Sequence, residues 1–458
     1  MPTTLIHRTP ALAIILTAQL MLAMDFLIVI VSLKNIQADL GFTAANLSWI
    51  PNAFALAFGG LLLLGGRLGD MIGQVKAFQI GLGIFVLASL AGGIGLSPAI
   101  LIIARVFQGI GSALAAPSVL ALITIMARNE EEKNRGLSLF IAISSIGASV
   151  GLILGGALTA FISWRWSLLI NVPIGILALV AVGLLVPETS RLKGKIDFAG
   201  AITGTLGSTA AVYGFISAAE YSWTSIVTIG SFASAIALFA LFVRIESKVA
   251  EPLLRLDILS PKSRQGGLIV MAIIVGMHFA TLFLILQYFQ QVLEYNPLLA
   301  GFAYLPITGT VFIISYFVPG LVDKYGNRSL LITGSILVAA SLICFSRLTG
   351  HSSYLTGLLF PLFIHSIGIA MVFTPGSIVV LDGIEKKDAG VASGILQVSQ
   401  QIGGAIGIAA IISIYTASLK PLDFSSGLSN AFVTAAGISL LAALVAAFYV
   451  PRKPGIHR

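Results

Sequence analysis

The amino-acid sequence predicts an all-α integral membrane protein of about fourteen transmembrane helices, built as two six-helix pseudo-repeat bundles with an inserted two-helix hairpin. Three observations support this prediction: the composition, the spacing of apolar stretches and a repeated polar turn. The chain has 458 residues, of which 57% are hydrophobic and only 10% are charged, against roughly 25% charged in soluble domains. Such a chain has too few charges to coat a soluble fold of this size. Lipid is therefore the expected solvent.

Apolar stretches long enough to cross a bilayer recur along the whole chain. A membrane-spanning helix needs about 20 consecutive apolar residues. By that measure the spans are roughly 11–31, 47–66, 77–97, 99–126, 136–158, 164–186, 198–218, 224–243, 266–289, 299–319, 329–347, 355–380, 390–415 and 430–450. The first stretch is longer than the ~7–15-residue apolar core of a signal peptide, so we interpret it as a retained first span.

The lysines and arginines predict how the chain is oriented. With a cytoplasmic N-terminus, 21 of the 26 lie on cytoplasmic segments, the side on which positive residues are enriched. The four tryptophans then all fall at the outer ends of spans, where an aromatic belt is expected. We expect both termini in the cytoplasm and a multi-pass location in the cell (inner) membrane. The single cysteine, Cys344, cannot form a disulfide within the chain.

A short polar turn occurs twice, each time after the second span of a six-span group. The first copy runs from Gly66 to Lys76 and the second from Gly320 to Arg328. Both contain Asp-x-x-Gly with a neighbouring base, and two copies at corresponding turns indicate repeated halves, as in many secondary transporters. The glycines and charged residues of interest in these turns are Gly66, Arg67, Asp70, Gly73, Asp323, Gly326 and Arg328.

The repeat predicts how the chain divides. The expected parts are an N-terminal six-helix bundle over 11–186, a linker with two inserted helices over 187–243, a cytoplasmic linker over 244–265 and a C-terminal six-helix bundle over 266–450. No segment outside the predicted spans is long enough to fold as a domain of its own. A separate catalytic module is therefore not expected.

Further motifs follow in an order that is more specific than any one of them. They are R-x-x-Q-G-x-G at Arg105–Gly111, the glycines Gly147, Gly151, Gly155 and Gly156, Trp164-Arg165-Trp166 followed by Asn171–Gly175, and the runs Gly390–Gly394 and Gly403–Gly407. With the two turns, they resemble the major facilitator superfamily and, within it, the fourteen-span drug:proton antiporters of the multidrug efflux type. The resemblance implies a cytoplasmic gate at the turns and an antiporter motif in the glycine series, although Leu152 stands where that motif usually has proline.

One acid and one base lie well inside predicted spans, Asp25 and Arg105. An ionised aspartate at mid-membrane costs about 2.5–3.5 kcal/mol on insertion scales, so such residues are usually functional. Asp25 either gains and loses a proton as access alternates, as the resemblance implies, or is a structural residue paired with a neighbouring helix. Arg105 stays charged and needs polar partners. It either transmits protonation or ties span four to span one.

Two histidines lie within predicted spans of the second half. The aspartates of the two turns are 253 residues apart, and the same shift places His278 opposite Asp25. This predicts a titratable group at the corresponding position of the second bundle. Asp25, Arg105 and His278 are therefore the candidates for proton and substrate coupling. A hydrogen-bonded packing role is the alternative for His278, and we favour it more strongly for His365.

Other residues in the spans are candidates for the walls of a cavity and for helix contacts. The cavity candidates are Asn52, Gln287, Gln397 and Gln401. Four aromatic side chains can offer cation–π surfaces to a lipophilic cation, although packing against lipid is the favoured interpretation for each of them: Phe54, Phe58, Tyr288 and Phe289. The glycines of span five permit close helix packing, and we expect them to form a sliding contact between the bundles.

The leading interpretation is a proton-coupled secondary transporter that exports hydrophobic compounds by alternating access. Because one deep carboxylate cannot neutralise a dication while it also handles protons, we expect monocationic or neutral compounds, exchanged for about one proton. The alternative is a major facilitator carrier for a specific metabolite, by symport or uniport. The sequence has no nucleotide-binding, metal-ligand or nucleophile motif, so we expect no enzyme activity, cofactor or metal. The expected partners are a small-molecule substrate, protons and the bilayer, with no nucleic acid and a monomeric chain.

Overall fold

The computed structural model is helical throughout the part of the chain that it describes. It describes residues 8–43, 46–127, 129–186, 188, 197–249, 252, 258–384, 389–419 and 424–452. The α-helices are α1 Arg8–Ile30, α2 Leu33–Leu40, α3 Trp49–Ile72, α4 Gln74–Ile94, α5 Pro98–Met126, α6 Glu130–Phe161, α7 Trp166–Leu169, α8 Asn171–Leu185, α9 Phe198–Glu220, α10 Ile226–Glu246, α11 Lys262–Gln291, α12 Pro297–Ala303, α13 Leu305–Phe345, α14 Leu359–Leu381, α15 Ala389–Ser418 and α16 Leu428–Tyr449. No strand occurs within those ranges, which agrees with the predicted fold class.

Eleven helical segments of the described residues are long and apolar enough to cross a membrane. One of them, Pro297–Phe345, has 49 residues and contains two of the predicted spans. Its backbone leaves the helical conformation at Gly326, between those two spans. The predicted spans 136–158 and 198–218 coincide with α6 and α9, which do not count among the eleven. A multi-pass helical membrane protein is confirmed, whereas the number fourteen stays a prediction.

The helices pack as two groups that follow the chain. In the first group α1 packs on α6 and α8, and α5 packs on α3 and α4. In the second, α11 packs on α14, α15 and α16, and α13 packs on α14 and α16. At the place of the predicted hairpin, α9 packs on α10, and α9 also contacts both α3 and α15. The linkers that bound the predicted parts include residues 187, 189–196, 250–251 and 253–257, which lie outside the described residues, so those boundaries stay predictions.

The two Asp-x-x-Gly turns have the same backbone conformation. Gly73 separates α3 from α4 with φ 102° and ψ 140°, and Gly326 breaks α13 with φ 78° and ψ 158°. Both values lie in a region that residues with a Cβ avoid. The glycine of each turn is therefore required by the backbone, and the two matching sequences produce two matching helix breaks.

The short helix α2 is fixed by a polar cluster at one end of the first group. Asp39 Oδ2 accepts a hydrogen bond from Trp164 Nε1 at 2.9 Å and another from Arg165 Nη1 at 2.6 Å. The Trp164 and Arg165 hydrogen bonds hold the pKa of Asp39 below its usual range. Arg165 also donates to the Gly95 carbonyl at 3.2 Å. The Trp-Arg-Trp motif thus joins α2 to the connection between α4 and α5.

Replacing Gly73 or Gly326 with alanine tests whether these breaks require glycine. We expect each variant to lose about 1–3 kcal/mol of stability, because the added Cβ forces a disfavoured backbone conformation. Thermal unfolding of the purified protein in detergent measures the loss. The control is Gly83→Ala in α4, where an added Cβ meets no atom within 4 Å. If Gly73→Ala and Gly326→Ala unfold at the same temperature as the Gly83 variant, the conformation assigned to the turns is wrong.

Candidate functional site

Asp25 and Arg105, the two charges that the sequence places inside spans, form an ion pair with each other. Asp25 Oδ2 lies 2.5 Å from Arg105 Nη1, and both side chains are 0% exposed. Asp25 lies on α1 and Arg105 on α5, so the pair joins the first and fourth predicted spans. The two sequence interpretations of Asp25, a functional carboxyl and a residue paired with a neighbouring helix, are thus compatible in one arrangement.

Three further side chains from three helices complete the surroundings of the carboxylate. Asp25 Oδ1 accepts from Asn171 Nδ2 at 2.7 Å and from Gln108 Nε2 at 3.2 Å. Gln108 Nε2 also donates to Ser89 Oγ at 2.7 Å. All of these side chains are fully buried. The two carboxylate oxygens thus accept three hydrogen bonds, from Arg105, Gln108 and Asn171.

Arg105 is held on its other sides by α3 and by its own helix. Its Nε donates to the Ile50 carbonyl at 3.2 Å and its Nη1 to Gln108 Oε1 at 2.8 Å. The guanidinium carbon lies 4.5 Å from the centre of the Phe54 ring, a cation–π contact. Arg105 Nη2 makes no hydrogen bond within the described part of the chain. The Nη2 nitrogen of Arg105 can therefore donate to a further acceptor.

The sequence did not single out Gln108, Asn171 or Ser89 as site residues. Gln108 and Asn171 occur in the motifs quoted above. Because a buried amide in a span needs a hydrogen-bond partner, their position in the spans could have identified them as site residues. Ser89 gave no comparable signal, because serine is common in membrane helices. The expectation that lipid packing is favoured for the aromatic residues was wrong for Phe54, Tyr288 and Phe289, which are 3%, 0% and 0% exposed.

His278 and His365 also contact each other, in the second group of helices. His278 Nδ1 lies 3.0 Å from His365 Nε2, and the rings are stacked with their centres 5.3 Å apart. His365 Nδ1 lies 3.1 Å from Ser341 Oγ. His365 is 0% exposed, while His278 is partly exposed. The sequence favoured His278 over His365 for a functional role, whereas the structure makes them a pair.

The four amide residues predicted to line a cavity occupy different places. Gln287 lines a cavity of about 240 Å³ with Gln37, Phe283, Gln291 and Tyr415 among its neighbours. Gln291 donates to Gln287 at 2.8 Å. The described residues on this cavity wall carry no charge.

The other three amides lie away from that wall. Asn52 is 0% exposed, and neither atom of its amide has a partner in the described ranges. Gln397 and Gln401 lie partly exposed on α15. Gln401 lies against Gly59 of α3, where the two groups of helices meet.

Gln290 joins the two groups of helices at the end where α2 lies. Its side-chain Nε2 donates to the Val31 carbonyl at 2.6 Å. Its backbone carbonyl accepts from Lys34 Nζ at 2.5 Å. Gln290 is 1% exposed. These bonds join α11 to Val31, which lies between α1 and α2, and to Lys34 in the first turn of α2. The sequence gave no reason to select Gln290 or Lys34, because their partners are backbone carbonyls.

Comparison with known proteins places this architecture in a family. The family model described as Major Facilitator Superfamily matches residues 15–408, with a second match at residues 320–458. The chain belongs to the major facilitator superfamily. This confirms the resemblance drawn from the motifs at the superfamily level. The chain is accordingly a transporter of small molecules across a membrane and not an enzyme.

Relatives of this transporter include proteins that are named as transporters or export proteins. It is 34% identical over 429 residues to EfpA of Mycobacterium tuberculosis, which is named an uncharacterized MFS-type transporter. The aligned residues cover 93% of this chain and 81% of EfpA. It is 34% identical over 457 residues to the cephamycin export protein CmcT of Amycolatopsis lactamdurans, covering 98% and 93%. The inward-open structure of the xylose transporter XylE of E. coli matches with a TM-score of 0.64, 14% identity and 98% coverage of both chains; this shows the shared fold alone.

The antiporter-type glycines of this transporter lie on two sides of α6. An added Cβ would meet Ala23 at Gly147 and the Met24 carbonyl at Gly151. The corresponding neighbours are Ile28 at Gly155, and Pro297 and Leu298 at Gly156. Three glycines therefore seat α6 on α1 within the first group, and only Gly156 faces the second group. The expected sliding contact between bundles is limited to this last position, opposite α12.

The gate residues lie at the two helix breaks. Gln74 donates to Asp70 Oδ1 at 2.9 Å across the Gly73 break. Glu188 accepts from the backbone N–H groups of Val75 and Lys76 at 3.2 and 3.0 Å. A carboxylate at the start of α4 is favoured by the helix dipole.

The remaining gate residues differ in how far they are exposed. Gly66 and Arg67 lie partly exposed near the end of α3. In the second turn, Asp323 is exposed and Arg328 partly exposed. The described ranges contain no group of three or more His, Cys, Asp or Glu residues that could hold a metal ion.

A double-mutant cycle tests whether Asp25 and Arg105 depend on each other. Asp25→Asn leaves a buried unpaired arginine and Arg105→Gln a buried unpaired carboxylate, so each should cost about 3–5 kcal/mol of unfolding free energy. The double variant should lose much less than the sum of the two. Denaturant unfolding in mixed micelles gives the three values. Asp39→Asn is the control, because its pair with Arg165 is half exposed and should contribute little. Additive losses would contradict the pairing.

Proposed function

We propose that this transporter exports hydrophobic compounds, monocationic or neutral, in exchange for protons by alternating access. The observation that carries the proposal is the Asp25–Arg105 pair, which is fully buried in a protein that spans a membrane. Relatives that are named export or resistance proteins, such as the cephamycin export protein and the puromycin resistance protein, support the direction. They favour an exporter over the carrier for a specific metabolite.

In this proposal Asp25 changes its partner during the transport cycle. With Arg105, Asn171 and Gln108 as donors, the carboxylate is neutralised and fully hydrogen-bonded. A cationic substrate or a proton that reaches Asp25 takes the place of Arg105. The free Nη2 of Arg105 and the two unbonded atoms of the Asn52 amide provide polar groups that a displaced side chain or a bound compound can use. Arg105 thereby responds to the charge at Asp25.

The membrane arrangement belongs to the same proposal. Fourteen spans form two six-helix bundles and the hairpin of α9 and α10, with both termini and both Asp-x-x-Gly turns in the cytoplasm. The Gln290 and Lys34 bonds then lie at the outer end, where their two hydrogen bonds to the backbone hold the bundles together. The protein acts as a monomer in the cell (inner) membrane.

The uncharged cavity supports the proposed class of substrate. Its wall combines the aromatic rings of Phe283 and Tyr415 with the amides of Gln37, Gln287 and Gln291. Apolar walls with a few polar groups are typical of small-molecule sites. No carboxylate of the described wall would neutralise a second positive charge. A monocation or a neutral amphiphile therefore suits it better than a dication does.

Ethidium efflux from cells that express the chain tests the function. We expect efflux to stop when an uncoupler removes the proton gradient, and to fail in Asp25→Asn, because the amide cannot be protonated. Asp25→Glu should recover part of the efflux, and Asp39→Asn should keep all of it. Membrane levels of each variant are compared to control for folding. Normal efflux by a well-expressed Asp25→Asn would remove Asp25 from the mechanism, and no efflux of several unrelated dyes would favour the metabolite carrier.

The charge balance of the exchange gives a second test. One proton exchanged for one monocation moves no net charge, so the flux should draw on the pH gradient alone, about 1.4 kcal/mol per pH unit. In proteoliposomes at a fixed pH gradient, a potassium diffusion potential should leave ethidium uptake or release unchanged. A neutral substrate provides the control, because its exchange for a proton moves charge and should respond to voltage. A strong voltage dependence with ethidium would rule out one-for-one exchange.

A further inference from the structure

The histidine pair of the second group resembles the Asp25 cluster in its position in the fold. Asp25, Gln108 and Ser89 lie on α1, α5 and α4, the predicted spans one, four and three. His278, His365 and Ser341 lie on α11, α14 and the second part of α13, the predicted spans nine, twelve and eleven. The shift of 253 residues relates Asp25 to His278 and brings Ser89 within one residue of Ser341. Each cluster is a chain of polar side chains across three helices.

The hydrogen bonds of Ser341 determine which nitrogen of His365 carries hydrogen. Ser341 Oγ lies 2.6 Å from the Val338 carbonyl. A carbonyl oxygen can only accept, so the single hydroxyl hydrogen of Ser341 lies between those two oxygens. Ser341 Oγ must therefore accept from His365 Nδ1, 3.1 Å away. In the neutral ring His365 Nε2 is then without hydrogen and can only accept.

The same reasoning continues to His278. Because His365 Nε2 accepts, His278 Nδ1 is the donor across their 3.0 Å contact. A neutral His278 then has no hydrogen on Nε2, and this nitrogen has no hydrogen-bond partner among the described residues. His278 is the partly exposed ring of the two. The chain of bonds thus ends in a free lone pair on the more accessible ring.

Few charges surround the two rings. The helices packed against α11 and α14 are α12, α13, α15 and α16, and α12, α14, α15 and α16 contain no Asp, Glu, Lys or Arg. The charged residues of α11 and α13 are Lys262, Arg264, Asp323, Lys324 and Arg328. The other titratable residues of the helices and turns around the rings are Tyr288, Tyr304, Tyr316, Tyr325, Cys344, Tyr354, Tyr415 and Tyr449. None of these has a described hydrogen bond to either ring.

We propose that His278 Nε2 is the proton-binding site of the second bundle, and that His365 and Ser341 position it. A proton from water binds to Nε2 and converts His278 to an imidazolium, whose Nδ1–H remains bonded to His365. The proton returns to water from the same nitrogen. Asp25 differs, since its oxygens already accept from Arg105, Asn171 and Gln108. His278 therefore holds the coupling proton while Arg105 occupies Asp25. This role in coupling rests on the proposed exchange, whereas the binding of a proton at His278 does not.

Nitrogen NMR of the full chain in lipid nanodiscs tests the site without a substrate. The chain has five histidines, and His278→Gln and His365→Gln identify the two signals. We expect both rings, when neutral, to carry hydrogen on Nδ1, and His278 Nε2 to gain a proton as the pH is lowered. A neutral His278 with hydrogen on Nε2, or a His278 that never gains a proton before the protein unfolds, would overturn the proposal.

Serine variants test whether the chain of bonds positions His278. Ser341→Ala removes the acceptor for His365, so the neutral form of both rings and the titration of His278 should shift. Ser335→Ala is the matched control, because Ser335 is also buried on α13 and bonds only to the Leu331 carbonyl of its own helix. A Ser341→Ala protein with the spectrum and titration of the control would show that Ser341 does not position the pair.

Transport by His278→Gln separates this inference from the proposed function. In proteoliposomes the variant should lose substrate-dependent proton movement and retain downhill movement of ethidium. If the unaltered chain also moves ethidium without moving protons, transport is not coupled to protons and the proposed function fails. The NMR result then still decides whether His278 binds a proton. Normal coupling by His278→Gln would overturn the role of His278 in transport.

Discussion

The ion pair between Asp25 and Arg105 constrains the first bundle, because a charge cannot remain in a membrane interior without compensation. The pair and the Gln108 amide that bonds to both of its members take partners from α1, α3, α4, α5 and α8, so five helices meet at one hydrogen-bond network. Low polarity around the pair strengthens each of these bonds and raises the cost of leaving any group unpaired. A change of partner at Asp25 therefore requires several helices to move together. That property suits a protein whose access to the two sides of a membrane alternates.

The polar cluster of the second bundle consists of groups that can be neutral, so it needs no compensating charge. Histidine loses its charge by releasing a proton, which arginine cannot do within a protein. His278, His365 and Ser341 therefore form a polar chain without a permanent charge, and the apolar helices around them need no counter-ion. The two bundles share an arrangement of three helices but differ in chemistry. One holds an aspartate paired with an arginine that stays charged, and the other holds two histidines.

Some contacts between the bundles are made by backbone atoms and small residues. Gly156 lies against Pro297 and Leu298, and Gly301 lies against Leu152, so α6 and α12 approach closely. Gln290 bonds to a carbonyl of the first bundle and accepts from Lys34. Apolar side chains of both bundles also pack together in one buried cluster, for example Ile28 and Phe283. Among the described residues, the fully buried ion pair lies within the first bundle and not between the bundles.

The sequence by itself determined the class of the protein, because composition, span length and the positive residues reflect the chemistry of lipid and not any particular packing. It also determined the two glycine turns, since their backbone conformation excludes other residues. It selected Asp25, Arg105 and His278 because ionisable groups in spans are costly. Only the tertiary structure decided that Asp25 pairs with Arg105, that Gln108, Asn171 and Ser89 join them, that His365 belongs with His278, and that three motif glycines face α1. Those contacts depend on which face of each helix points towards the other helices. Because a membrane helix is apolar on all its faces, its sequence has no amphipathic pattern that would identify the inward face.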